Sequence, residues 1–178
     1  MKIGLAGAGG IGSNVAVNLV RSGICSLKIL DYDTVEVGNL NRQFYFRDQV
    51  GKPKITMLAE NLARINPAAH IDPLTCRITR NNIIDVFADC PIVVEGLDRQ
   101  QDKKMLVETL TPHKELIVAA NGIAGASISG ITTRKMDNCI IVGDFSTDCA
   151  SEKLYAHKVL TIAAIMTHHL IEHVEETP

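Results

Sequence analysis

No Cys-x-x-Cys pair occurs in this chain. Its five cysteines, Cys25, Cys76, Cys90, Cys139 and Cys149, are odd in number and scattered. That excludes a disulfide framework and a structural zinc, and reduced thiols in the cytoplasm are the plain expectation. Basic charge is not in excess either: 18 Lys and Arg stand against 20 Asp and Glu, a formal net charge of −2, with a pI near 6.3. Without a positive field, a surface that neutralises nucleic-acid phosphates is not expected. No apolar run reaches the length of a membrane span, and no signal peptide is expected before Met1, one residue from an apolar run. Repeats, low-complexity tracts and linkers are lacking too. Residues 1–178 therefore read as a single domain, and 46% hydrophobic content gives it a sizeable core.

Against these absences stands one glycine-rich stretch. The apolar run Ile3, Leu5, Ala6 stops at Gly7-Ala8-Gly9-Gly10-Ile11-Gly12, and Val15, Ala16, Leu19 and Val20 follow at helical spacing. A glycine turn between strand and helix seats a phosphate: Gly7 permits the turn, Gly9 lets the backbone approach the ligand, and Gly12 allows close helix–strand packing. Nineteen residues past Gly12, the run Leu27–Leu30 ends in Asp31, where a doubly wound fold holds a ribose hydroxyl. The pattern predicts a nucleotide site without specifying the nucleotide.

The polar stretch from Tyr32 to Gln49 is too irregular for a helix or strand, and a loop of that length is usually functional. Pro53 suits a first helical position, and Ile55, Leu58, Ala59, Leu62 and Ile65 share a face before Asn66-Pro67. Lys52 and Lys54 stand where cations are disfavoured by the helix dipole unless an anion compensates; for Lys52 a solvated surface role is the simpler reading. Strands are predicted at Ile71–Cys76, Pro91–Val94 and Leu116–Ala120, with helices from Asn81 or Asn82 and over Asp102–Leu110. Asp98 then falls at the carboxyl end of a central strand, the ligand-binding edge of open α/β sheets. Ser127–Thr133 and Cys139–Val142 read as a hairpin around Met136-Asp137-Asn138, before a final helix from Leu154 to about Val174. The fold class is α/β: a Rossmann-like, doubly wound, mostly parallel sheet with helices on both faces, a C-terminal β-hairpin and a long helix.

Together the pieces resemble the ThiF/MoeB family, the adenylating domain shared with ubiquitin-activating enzymes, and within it the short ThiF subgroup. The residues that carry the resemblance are Gly7–Gly12, the run from Asp31 and Asp33 through Asn39, Arg42 and Gln43, then Lys54, Asn66-Pro67 and Asp98. The resemblance implies ATP-dependent adenylation of the C-terminal glycine carboxylate of a small ubiquitin-like sulfur carrier ending in Gly-Gly, ThiS in thiamine synthesis, by a homodimer. It also implies roles. Gly7, Gly9, Gly10 and Gly12 would form the nucleotide turn and Asp31 would bind ribose. Arg42 and Asn39 would hold the phosphates with support from Gln43, Lys54 would meet the α-phosphate, and Asp98 would hold Mg²⁺. The residue types suit that chemistry, because nucleotidyl transfer is mostly positioning plus cations, and a carboxylate nucleophile needs no general base.

The family commonly has an arginine before the first strand that reaches the neighbouring subunit's site. No arginine precedes Ile3 in this sequence, and Arg99 is one candidate substitute. Cys149 falls in the loop where longer relatives carry a reactive cysteine, eight residues before His157; reactivity would need a lowered thiol pKa. Asp33 reads as a turn former or a second ligand, Glu95 as a metal aid or a buried hydrogen-bonded acid. Phe44, Tyr45 and Phe46 read as packing. His168, His169 and His173 include an i, i+4 pair with metal-ligand spacing, but a solvated face near a helix C-terminus accounts for them. A nicotinamide-dependent oxidoreductase needs only the glycine turn and Asp31, and leaves Arg42, Lys54 and Asp98 unexplained. A non-catalytic subunit holding a ubiquitin-like tail is the third reading.

Overall fold

The computed structural model describes residues 1–176. Ile3–Ala6 (β1) is buried along its whole length and turns through glycines into Gly10–Arg21 (α1). Ser26–Leu30 (β2), Lys54–Ile65 (α2), His70–Leu74 (β3) and the single turn Ile83–Val86 (α3) follow. Ile92–Glu95 (β4), Gln100–Leu110 (α4) and Leu116–Ala120 (β5) complete the alternation. Thr132–Met136 (β6) and Cys139–Gly143 (β7) form the hairpin, and Ala156–Glu176 (α5) is the last helix.

The strands form one seven-stranded sheet in the order β3-β2-β1-β4-β5-β7-β6. Every pairing is parallel except that of β6 with β7. This is the expected doubly wound architecture. Because β1 lies between β2 and β4, the chain winds first to one side and then to the other, and the reversal opens a crevice at the carboxyl ends of those strands. Successive strand residues point to opposite faces, so each face has its own apolar cluster. Leu5, Val15, Leu19, Leu58, Val94, Val118, Ile162 and Met166 pack beneath α1, α2 and α5. Phe87, Val93, Leu106, Leu110 and Ile117 pack beneath α3 and α4. Burial on both faces is why β1, β4 and β5 read as continuous apolar runs rather than alternating ones.

Several boundaries differ from the sequence reading. β3 ends at Leu74, releasing Cys76 into the loop that follows. Pro53 caps α2 instead of opening it, and α4 starts two residues early. The larger correction concerns the hairpin. The alternating stretch from Ser127 is not a strand: Ser129 N–H donates to the Ser127 hydroxyl and Ile131 N–H to the Ile128 carbonyl, closing local turns. The strand begins at Thr132 and carries Arg134 and Lys135 on the fully exposed sheet edge, where charge discourages pairing with another chain.

Candidate functional site

The carboxyl ends of β1, β2, β4 and β5 open onto a cavity of about 600 Å³, within the range of small-molecule sites. Its base is the glycine turn. Gly7 has φ +100°, the left-handed region that favours glycine, and its N–H donates to the Leu30 carbonyl, joining β1 to β2. A Cβ on Gly12 would lie 1.9 Å from the Gly7 carbonyl oxygen. Gly12 is therefore the packing contact behind the turn and does not border the cavity, whereas Gly7, Gly9 and Gly10 do. No side chain caps α1 and no acid occupies its first turn, a helix start that keeps its N–H groups for an anion.

Asp31 is fixed above this turn. Its Oδ2 accepts from Ala8 N–H at 2.7 Å and its Oδ1 from Asp33 N–H at 2.8 Å, with lone pairs remaining for hydroxyl donors. The loop after Asp31 is pinned to the glycine turn and α1 by three side chains that the sequence reading did not single out as site residues. The buried Tyr45 phenol donates to the Ala8 carbonyl at 2.7 Å, and burial raises its pKa, keeping it a neutral donor. Ser13 donates to the Gly9 carbonyl and accepts from Phe44 N–H. Asn14 Nδ2 bridges the Gly10 and Arg42 carbonyls at 2.6 and 2.8 Å. For Ser13 and Asn14, polar residues among the apolar face of α1 were the available signal.

This bracing sets the cations. Arg42 lays its aliphatic stem over Gly10 and donates through Nη1 to the Gly38 carbonyl and Asn41 Oδ1. Asn39 accepts Glu36 N–H, closing the turn Val37–Asn39. Gln43 is buried, and among the described residues its Oε1 has no partner. Lys54, at the start of α2, is only 6% exposed and pairs with Asp33 Oδ2 at 2.9 Å, so Asp33 is the partner of a cation. Lys52 is exposed. Asp98 borders the cavity from the turn after β4.

That turn rests on a second buried acid. Glu95 is 1% exposed, accepts Leu97 N–H at 2.7 Å and pairs with Lys103 Nζ at 2.8 Å. Of the two readings left open for Glu95, the buried hydrogen-bonded acid describes its surroundings. Arg99 is exposed and does not border the cavity; the cation that does so from α4 is Lys103. In all, six carboxylates and four cations border the cavity, a formal balance of −2.

The cavity's last wall is the loop before α5. Lys158 is 1% exposed and donates to Asp144 Oδ2 and to the Ala124 carbonyl. Burial alone would raise the Asp144 carboxyl. The Lys158 ammonium, with the N–H groups of Ser146 and Thr147, outweighs it and holds the group well below the usual carboxylate range. Beyond this anchor, Thr147, Asp148 and Cys149 border the cavity. Desolvation raises the Cys149 thiol, against the opposing charges of Lys103 and Arg42. His157 spends Nε2 on the Ala126 carbonyl at 2.7 Å. Peptide-resolved alkylation of Cys149 is therefore expected to reach its half-maximal rate at a higher pH than that of an ordinary exposed cysteine; saturation near neutrality would reveal an activated thiolate instead.

Sheet order, glycine turn and crevice define a Rossmann-like α/β protein. More particularly, the chain belongs to the ThiF family, which matches residues 1–172. It is 44% identical over 86 residues to ubiquitin-like modifier-activating enzyme 5 of Arabidopsis thaliana, across 48% of this chain and 20% of that protein. It thus spans about a fifth of that relative's length. The structure of Escherichia coli tRNA N6-threonylcarbamoyladenosine dehydratase with AMP superposes at a TM-score of 0.86 and 20% identity, over 97% of this chain and 85% of that one. HcgE of Methanothermobacter marburgensis, bound to guanylylpyridinol and ATP, gives 0.79 and 16%, over 99% and 96%. At these identities the structural likeness is one of fold.

Proposed function

We propose that this chain uses ATP to adenylate the C-terminal glycine carboxylate of a small ubiquitin-like sulfur carrier ending in Gly-Gly, of the ThiS type, as a cytoplasmic homodimer in thiamine synthesis. The observation that carries the reading is that Arg42, Lys54 and Asp98 border one cavity beside the glycine turn and Asp31. A relative that activates a ubiquitin-like modifier, and fold neighbours bound to AMP and ATP, support it.

In this reading the α1 N-terminus with Gly9 and Gly10 receives phosphate oxygens over the turn that Gly7 permits, its own N–H being spent on Leu30, and Asp31 accepts from the ribose hydroxyls. The carrier's carboxylate oxygen forms a bond to the α-phosphorus while the bond to the bridging oxygen breaks, giving acyl-adenylate and pyrophosphate. Charge gathers on the phosphoryl oxygens, where the Arg42 fork and the Lys54 ammonium counter it. Asp98, an oxygen donor bordering an acidic cavity, fits Mg²⁺, which takes one or two carboxylates plus phosphate oxygens and water. The ion, when bound, supplies charge neutralisation on the triphosphate.

The test is ATP–pyrophosphate exchange with a matched carrier. Exchange should require the intact Gly-Gly end and fall about 10²-fold in Asp98→Asn, the scale for losing one electrostatic stabiliser of a transition state. Absence of exchange with any Gly-Gly carrier, alongside tight NADH binding indifferent to ATP, would return the chain to the oxidoreductase reading.

A further inference from the structure

We propose that His168, His169 and Glu172, on the C-terminal half of α5, form a binding site for a divalent transition-metal ion of the Zn²⁺ kind. None of the three borders the cavity. Neighbouring residues of a helix point about 100° apart, so adjacent histidines ordinarily face different surroundings. Here both turn to one carboxylate. His168 Nε2 and His169 Nδ1 each lie 3.2 Å from Glu172 Oε2, and the two rings are 5.2 Å apart between centroids.

The three donor atoms lie within 4.8 Å of one another. Zinc at about 2.0–2.1 Å from tetrahedral nitrogen and oxygen ligands sets its donors roughly 3.4 Å apart, so two of the three edges already have nearly that length. A second element supports the ring. His169 Nε2 is 3.3 Å from the Thr133 hydroxyl on β6. A metal-bound imidazole commonly spends its other nitrogen on such a partner, which fixes tautomer and orientation. With Nε2–H donating to Thr133, the Nδ1 lone pair is left for the ion. His168 and Glu172 are exposed, which leaves the remaining position to water, and two imidazoles with one carboxylate favour zinc over magnesium or calcium. The α5 C-terminus adds negative partial charge nearby. This site is unlike the cysteine-based structural zinc that the sequence excludes.

The experiment is calorimetric titration of Zn²⁺ into the chelator-treated, reduced full chain, with thermal melts confirming that each variant is folded. One equivalent should bind to the unmodified protein and to Cys149→Ala alike. His169→Ala and Glu172→Gln should bind none at this site, and Thr133→Val should bind about 10-fold more weakly. No uptake by the unmodified protein, uptake unchanged in His169→Ala, or uptake lost in Cys149→Ala instead would overturn the proposal. None of these outcomes bears on adenylation.

Discussion

Arg42→Ala is expected to lower carrier-dependent ATP–pyrophosphate exchange by about 10³-fold, the lower end for an arginine that stabilises phosphoryl transfer, or about 4 kcal/mol of barrier. The size follows from how much of the fold is spent on holding this side chain. Asn14 fixes its carbonyl, Gly10 supplies a flat seat for its stem, and the Gly38 carbonyl and Asn41 orient one arm of the fork. A lysine there would keep the charge and lose the fork, so Arg42→Lys should recover only a small part of the activity. Because the side chain is only partly buried, thermal stability should change little. Should Arg42→Ala retain exchange within a few-fold of the unmodified protein, the phosphate role fails.

Lys158→Ala is expected to cost about 3–5 kcal/mol of unfolding free energy, read from denaturant titration. Removing one member of a buried ion pair strands the other charge away from water, and here the stranded group is Asp144, whose side chain is only 9% exposed. The pair also makes stability depend on pH. The carboxyl is depressed in the folded state, so its contribution is fully present above the ordinary aspartate range, near pH 4, and is lost as pH falls toward the lower folded value. Lys158→Met combined with Asp144→Asn should lose less than the sum of the single changes. Additive losses would show that the two side chains are not coupled.

The glycine turn and Asp31 were legible because strand, turn, helix and acid follow one another at fixed spacing, whereas composition marked residues 32–49 only as a long polar loop and the resemblance alone singled out Asn39, Arg42 and Gln43 within it. Lys54 was legible because a cation at a helix start goes against the dipole. Glu95 with Lys103, and Asp144 with Lys158, were not legible. Each acid stands at a strand end and each lysine on a later helix, so only the crossover brings them together. The same limit applies to β6: local alternation favoured Ser127–Thr133, while pairing with β7 selected Thr132–Met136.

Asp31, Asp33, Glu36, Asp98, Asp102 and Asp148 face Arg42, Lys54, Arg77 and Lys103 around the cavity. A polyanion entering such a space meets no overall attraction at long range, and its affinity must come from contacts made at arm's length. Raising monovalent salt should therefore leave nucleotide binding nearly unchanged, where a basic cleft would be weakened steeply. Divalent ions, arriving with the triphosphate, should strengthen it.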